Sequence, residues 1–211
     1  MRKSRKAFTL VEILVVIGIT TLLAAAAIGY SHIGQNEDAL TVETAKVAEL
    51  MLQARELAIA TYGGTFHACA YGVTFDYGAN GGGAYSMFYY LPAGSSGRCA
   101  GPDNAMQTGL SGAGGPYMFE IPEQSGSWDV APTQGVKLVG PGSSDEPSVC
   151  AKAEGRILNT VLFYPPNPTT LVSYDGTTLV DPDPTSIVCL ETVDGQNASV
   201  ITVNAEGQIS F

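Results

Sequence analysis

The chain has 211 residues, 20 of them acidic and 10 basic, and a net charge of −10. So acidic a chain is a poor non-specific ligand for DNA or anionic lipid, and we expect no nucleic-acid partner. The length allows one globular domain of about 150 residues beside a terminal helix. Glycine and proline are abundant, but valine, isoleucine, tyrosine and phenylalanine are spread throughout, which indicates a loop-rich β domain rather than disorder.

The N-terminus joins a basic flank to a long apolar run. Four cations lie within residues 2–6, and Ala7 separates them from the apolar run that begins at Phe8. The stretch from Ile13 to Ser31 carries no charged residue and would form about 28 Å of helix, close to the thickness of a bilayer's hydrocarbon core. We therefore expect one membrane-spanning helix, with the basic flank in the cytoplasm and the rest of the chain outside it.

Glu12 is an acid inside this apolar run. An unpartnered acid in such a segment costs about 3 kcal/mol, so intramembrane acids are candidates for a functional role. The simpler interpretation is an acid that reaches the interface near the helix end. An ordinary secretory signal, cleaved near Ala27 and followed by a secreted β domain, is the alternative for the whole segment.

A resemblance to a known signal is carried by Lys6-Ala7-Phe8-Thr9-Leu10-Val11-Glu12. This stretch is similar to the prepilin-type signal of type IV pilins and type II secretion pseudopilins. In that family a membrane aspartyl peptidase cuts before the phenylalanine and methylates the new amine. The resemblance implies cleavage between Ala7 and Phe8, N-methylation of Phe8, and a role for Glu12 in setting subunit register. The family usually has glycine where this chain has Ala7.

The resemblance also implies partners and a location. The partners would be the prepilin peptidase, other pilin or pseudopilin subunits, and the inner membrane. The chain would be a single-pass protein of the cytoplasmic membrane with its head outside the cytoplasm, and later part of a periplasmic or extracellular filament. A tip adhesin or DNA-uptake pilin that binds through its head is the alternative within this family, although the sequence offers no basic groove for DNA.

The helix is expected to continue past the membrane. From Leu40 the pattern becomes amphipathic, and Gly63-Gly64 marks its end. The apolar face predicts packing against a sheet, with a coiled-coil partner as the lesser possibility. The apolar face comprises Leu40, Val47, Leu50, Met51, Ala54, Leu57 and Ala58, and the polar face Glu43, Lys46, Glu49, Gln53 and Glu56. The chain is thus divided into a leader (1–7), a transmembrane and assembly helix (8–31), an amphipathic helix (32–62) and a β-rich head (63–211).

After Gly64 the apolar period changes to two, which predicts antiparallel strands and an α+β, pilin-like fold. Asp194-Gly195-Gln196-Asn197 has the composition of a hairpin turn. Two long loops, at 92–116 and 140–149, separate groups of strands. The predicted strands are 66–75, 85–91, 117–121, 127–131, 135–139, 156–164, 187–193, 199–204 and 208–211.

The C-terminal part carries a second resemblance. Val161-Leu162-Phe163-Tyr164-Pro165 and the later stretch from Ala198 to Ile209 look like the C-terminal domain of GspH/FimT-type minor pseudopilins. Those domains end with a strand, a glycine turn and a last strand. DNA-uptake members tend to carry arginine just after that glycine, whereas this chain has Gln208 and Ser210.

The cysteines, Cys69, Cys99, Cys150 and Cys189, all lie beyond the predicted membrane helix, and no pair has C-x-x-C spacing. An exported domain meets an oxidising compartment, which favours disulfides. We favour the pairs Cys69–Cys99 and Cys150–Cys189, because each straddles one loop-rich excursion. The alternative is that all four are free and buried.

Candidate catalytic residues are few, and we expect neither an enzyme nor a bound cofactor or metal. His67 lies on a predicted strand, and no catalytic serine or zinc-protease motif occurs. The acids Asp175, Asp181 and Asp183 offer oxygens to Ca²⁺, but their spacing is not that of an EF-hand, and a solvated turn is the simpler interpretation. The sequence therefore predicts a structural subunit of a filament, a minor pseudopilin before a major pilin.

Overall fold

The computed structural model describes residues 10–60, 68–78, 81–90, 130–141, 150, 155–165 and 169–211, without the side chains of 27–34. One helix, α1, spans Leu10–Ala60. Residue contacts divide the chain into two units, Met1–Asp38 and Ala39–Phe211. The strands are β1 (Ala70–Asp76), β2 (Ala84–Tyr90), β3 (Val136–Leu138), β4 (Arg156–Ile157), β5 (Thr160–Tyr164), β6 (Thr169–Ser173), β7 (Ser186–Thr192), β8 (Ala198–Val203) and β9 (Ile209–Ser210).

The strands form two sheets, and the predicted α+β class is confirmed. Sheet A has the order β2-β1-β5-β6, and sheet B has the order β3-β7-β8-β9 with β4 beside β7. Among the described strands, every pair is antiparallel, as predicted, except β4–β7, which is parallel. The predicted hairpin turn at 194–197 joins β7 to β8, and Gly195 takes a φ of 70° that favours glycine there.

The segment predicted as one strand, 156–164, is two short strands in different sheets. β4 pairs with β7 of sheet B, whereas β5 pairs with β1 and β6 of sheet A. The change occurs between Leu158, whose N–H donates to Ile187 at 2.8 Å, and Asn159, whose N–H donates to Ser173 at 2.7 Å. The sequence pattern at 156–164 predicts extended backbone, but it does not show that the chain passes from one sheet to the other at this point.

The core of the second unit contains the amphipathic part of α1 together with residues of both sheets. Val47, Met51, Ala54 and Ala58 are fully buried in one cluster with sheet residues, so the prediction that this stripe packs on a sheet is confirmed for them. The sheet members of that cluster include Val73, Phe75, Val161 and Phe163 of sheet A and Val188, Leu190 and Ile201 of sheet B. A smaller cluster lies on alternate positions of sheet A: Ala70, Phe88, Tyr90, Leu162, Tyr164 and Leu171.

Several predicted features lie outside the described residues. They are the helix end at 63–64, His67, the strand at 117–121, most of the strand at 127–131 and the loops at 92–116 and 142–149. Within the described ranges, no helix is both long and apolar enough to cross a membrane. The prediction of a membrane-spanning helix at 8–31 is not supported by that finding.

A disulfide joins Cys150 to Cys189 on β7, with the two Cα atoms 6.0 Å apart, as favoured from the sequence. Both side chains are buried beside Val139 and the partly buried Val200. Cys69 is also disulfide-bonded, and Cys99, its predicted partner, lies outside the described residues.

Replacing both Cys150 and Cys189 by alanine should lower the free energy of unfolding by about 3–4 kcal/mol, because the bond closes a loop of 39 residues. The measurement is urea denaturation of the double variant and the parent chain at neutral pH. The matched control replaces the nearby Val139 by alanine, which leaves the bond intact. Equal transition midpoints for the double variant and the parent would contradict the expectation.

Candidate functional site

The N-terminal part of α1 exposes a continuous apolar surface in the first unit. We call residues 10–23 the apolar segment. Its large side chains are all more than half exposed, whereas soluble proteins usually bury such residues. They are Leu10, Val11, Ile13, Leu14, Val15, Val16, Ile17, Ile19, Leu22 and Leu23. So large an apolar surface is typical of a segment that packs against another protein or a lipid phase.

The hydroxyl groups of the apolar segment are satisfied within the helix. Thr20 donates to the carbonyl of Val16 at 2.9 Å, and Thr21 donates to that of Ile17 at 2.9 Å. A polar group transferred into apolar surroundings is costly only when it lacks a hydrogen bond. The two threonines therefore do not prevent this segment from being covered by apolar neighbours.

Glu12 lies in the first turn of α1, and its side chain is exposed. A carboxylate there is favoured by the positive end of the helix dipole. If neighbours cover the apolar segment, this charge leaves water with it and needs a positive partner. The predicted cleavage and methylation residues, Ala7 and Phe8, lie outside the described residues.

Comparison with protein families identifies this region. Residues 2–28 match the family model described as the prokaryotic N-terminal methylation motif. The N-terminus is a prepilin-type signal. The motif supports the type IV pilin and pseudopilin family, as the sequence predicts, and with it processing by a prepilin peptidase and assembly with other pilin subunits. It also indicates a protein that is first held at the membrane and later found in a filament.

The matched motif ends at residue 28 and does not reach the head at 63–211. No curated protein and no solved structure matches the chain.

A buried carboxylate, missed by the sequence analysis, lies near the start of the second unit. Glu43 was predicted on the polar face of α1, but its side chain is fully buried. It accepts hydrogen bonds from the hydroxyl of Tyr85 at 2.6 Å and from that of Thr133, and the Lys46 ammonium lies 3.2 Å from it. Lys46 also donates to Thr133 at 3.1 Å. One carboxylate thus connects α1, β2 and the segment before β3.

The pKa of Glu43 reflects two opposed effects. Burial favours the neutral acid, but the hydrogen bonds from Thr133, Tyr85 and Lys46 outweigh it and hold the pKa below its ordinary value. Burial and the Glu43 charge together raise the pKa of Tyr85, so this hydroxyl stays protonated as a donor. The stability from the ionised carboxyl is present above the ordinary glutamate pKa and is lost as the pH falls through the folded value.

Two of the three acids considered for Ca²⁺, Asp175 and Asp183, accept hydrogen bonds within local turns. Asp175 accepts hydrogen bonds from the backbone N–H groups of Thr177 and Thr178, which hold its pKa below the ordinary range. Asp183 likewise accepts from the N–H and hydroxyl of Thr185. Within the described residues, no group of three or more His, Cys, Asp or Glu side chains is placed to hold a metal ion.

Glu43→Gln should lower the free energy of unfolding at pH 7 by about 1.5–3 kcal/mol, the usual worth of hydrogen bonds to a charged group. As the pH falls below the ordinary glutamate pKa, the parent should lose the stability that the ionised carboxyl contributes. The free energies of unfolding of the two chains should then become equal. Urea denaturation from pH 7 to pH 3 measures both effects.

Two controls sharpen this test. Tyr85→Phe removes one donor and should cost less than Glu43→Gln, while Glu49→Gln on the exposed side of α1 should cost almost nothing. A constant difference between Glu43→Gln and the parent at all pH values would show that Glu43 is not an ionised anchor.

Proposed function

We propose that the chain is a structural subunit of a type II secretion pseudopilus or a type IV pilus. Within that class, we favour a minor pseudopilin. The motif at 2–28 carries this proposal. In it, the precursor lies in the inner membrane, loses residues 1–7, and polymerises through the apolar segment. The role is structural and needs no catalytic step, cofactor or metal.

Burial of the exposed apolar segment would provide the driving force for polymerisation. Complete burial of a leucine, isoleucine or valine side chain contributes about 1.5–3 kcal/mol, and ten such side chains are exposed between Leu10 and Leu23. A neighbouring copy of the same helix offers a matching apolar surface. The backbone and the threonine hydroxyls form their hydrogen bonds inside the helix. Burying the apolar segment between other helices therefore leaves few polar groups without a hydrogen-bond partner.

Glu12 gives assembly its register in this proposal. Once the leader is removed, the amine of Phe8 carries a positive charge within about one helical turn of Glu12. The amine of a neighbouring subunit can partner the Glu12 carboxylate as the apolar surfaces close. A shift along the helix would leave both charges buried and unpaired, which costs about 3–5 kcal/mol.

The choice of a minor pseudopilin rests on the C-terminal order of elements. The chain ends with β8, a turn in which Gly207 has a φ of 70°, and β9. This order agrees with the resemblance to GspH/FimT-type subunits and supports that assignment over a major pilin.

Glu12→Gln should leave the leader cleaved but reduce recovery in filaments by at least tenfold, because a neutral amide carries no negative charge to compensate that of the buried ammonium. The experiment compares sheared filaments with the membrane fraction by immunoblot in the native host. Glu49→Gln, an exposed acid of the same helix, is the matched control and should assemble normally. Normal recovery of Glu12→Gln in filaments would contradict the role of Glu12 in register.

A further inference from the structure

Residues 130–134, which we call the clasp, contact both α1 and the edge strand β2. The backbone of Val130 pairs with that of Tyr85 through two hydrogen bonds of 2.9 and 3.0 Å. The hydroxyl of Thr133 donates a hydrogen bond to the carboxylate of Glu43 on α1. The clasp is thus joined to the strand by backbone groups and to the helix by one side chain.

The clasp buries little apolar surface of its own. Val130 is 38% exposed, and Ala131, Thr133 and Gln134 are exposed as well. Pro132 has no N–H group to donate. Segments with few buried apolar contacts open locally at a lower free energy than the core. Among the contacts that the structure describes, the hydrogen bonds of Val130 and Thr133 therefore make the main contribution to closing the clasp.

Gly135 gives the clasp a fixed base. Its φ of 96° lies in the region that favours glycine, and its carbonyl accepts a hydrogen bond from the N–H of Val193 at 2.9 Å. β3 begins at the next residue, where Val136 pairs with Thr192 of β7. The chain is therefore held from Gly135 onwards, and a movement of the clasp would turn about this glycine.

Closure of the clasp depends on the charge of one buried carboxyl group. The side chain of Glu43 is fully buried, and three groups lie against it. They are the ammonium of Lys46 on α1, the hydroxyl of Tyr85 on β2 and the hydroxyl of Thr133 in the clasp. An ammonium group stays charged, and a phenol or alcohol stays neutral, throughout the acid range. Glu43 is therefore the member of this cluster whose charge changes as the pH falls.

Protonation of Glu43 would weaken the contact between the clasp and α1, because hydrogen bonds to an ionised group are stronger than those to a neutral one. Burial favours the neutral acid, but the hydrogen bonds from Thr133, Tyr85 and Lys46 hold the pKa of Glu43 below its ordinary value while the clasp is closed. An open clasp removes one donor and admits water, so the pKa then moves towards the ordinary value. Closure is therefore favoured above the ordinary glutamate pKa, and this advantage is lost as the pH falls through the lower value.

We propose that residues 130–134 are an acid-sensitive clasp, which the ionised Glu43 holds against α1 and β2 and which opens about Gly135 when that carboxyl is protonated. Opening separates Val130 from Tyr85 and exposes the carboxyl to water. The two sheets stay packed on α1, because no residue of the clasp belongs to their shared apolar cluster. This device lies within the second unit and does not depend on the proposed polymerisation.

Hydrogen exchange of the full chain, resolved to single amides, tests whether the opening is local. The N–H of Val130 donates to Tyr85, and that of the fully buried Leu158 donates to Ile187 at 2.8 Å. At pH 6 the protection factor of Val130 should be at least tenfold lower than that of Leu158. Its exchange should also depend less on urea, because a local opening exposes little surface. Equal protection and equal urea dependence of the two amides would overturn the proposal.

Two variants test what holds the clasp closed. Thr133→Val removes the hydroxyl of the clasp but keeps the carboxylate, and it should speed the exchange of Val130 at least threefold at pH 6. Glu43→Gln should speed it at least tenfold. Gln134→Ala, an exposed neighbour in the clasp, is the matched control and should change the rate less than twofold. Unchanged exchange in Thr133→Val would overturn the proposal, and this variant decides the matter if Glu43→Gln does not fold.

The pH dependence tests the role of the charge. The ratio of the Val130 exchange rates in Glu43→Gln and in the parent should fall from at least ten at pH 6 to about one at pH 3, because the parent then carries a neutral side chain as well. Comparing the two chains at each pH removes the effect of pH on intrinsic exchange. A ratio that stays the same between pH 6 and pH 3 would contradict an acid-sensitive clasp.

Discussion

The structure depends on one helix that carries two different apolar surfaces. In the second unit, Val47, Met51, Ala54 and Ala58 are buried in a cluster with residues of both sheets. In the first unit, the apolar segment at 10–23 is exposed along its length. The first surface is satisfied within the chain, whereas the second needs a partner outside it. Residues 2–28 match the prokaryotic N-terminal methylation motif, and in our proposal that partner is the same helix of neighbouring subunits.

Two acids of α1 show how the same side chain is used differently. Glu43 is buried, and donors from α1, β2 and the segment before β3 keep it ionised, so it helps to fix these elements together. Glu12 is exposed in the apolar segment, where its charge becomes costly once neighbours cover the helix. Glu43 therefore serves the fold of one subunit, and in our proposal Glu12 serves the contact between subunits.

Much of the fold could be predicted from local patterns. Periods of 3.6 and two residues predict the helix, its buried stripe from Val47 to Ala58 and most strands. The hairpin at 194–197 follows from the composition of its turn. Patterns of this kind do not report which sheet a strand joins, so the transfer at Leu158 and Asn159 was missed. β6 was also missed, since it is short and follows three prolines between 165 and 168. The burial of Glu43 depends on Tyr85 and Thr133, which are distant in sequence and cannot be recognised by helical periodicity. Conversely, the prepilin-type signal is entirely local and was recognised directly.

The central claim concerns the N-terminus, and mass spectrometry of the mature chain from the native host tests it most directly. The account predicts a chain that begins at N-methylated Phe8 and retains Glu12. A mature chain that begins near Gly29 would contradict it, because such a chain would lack both Glu12 and the apolar segment.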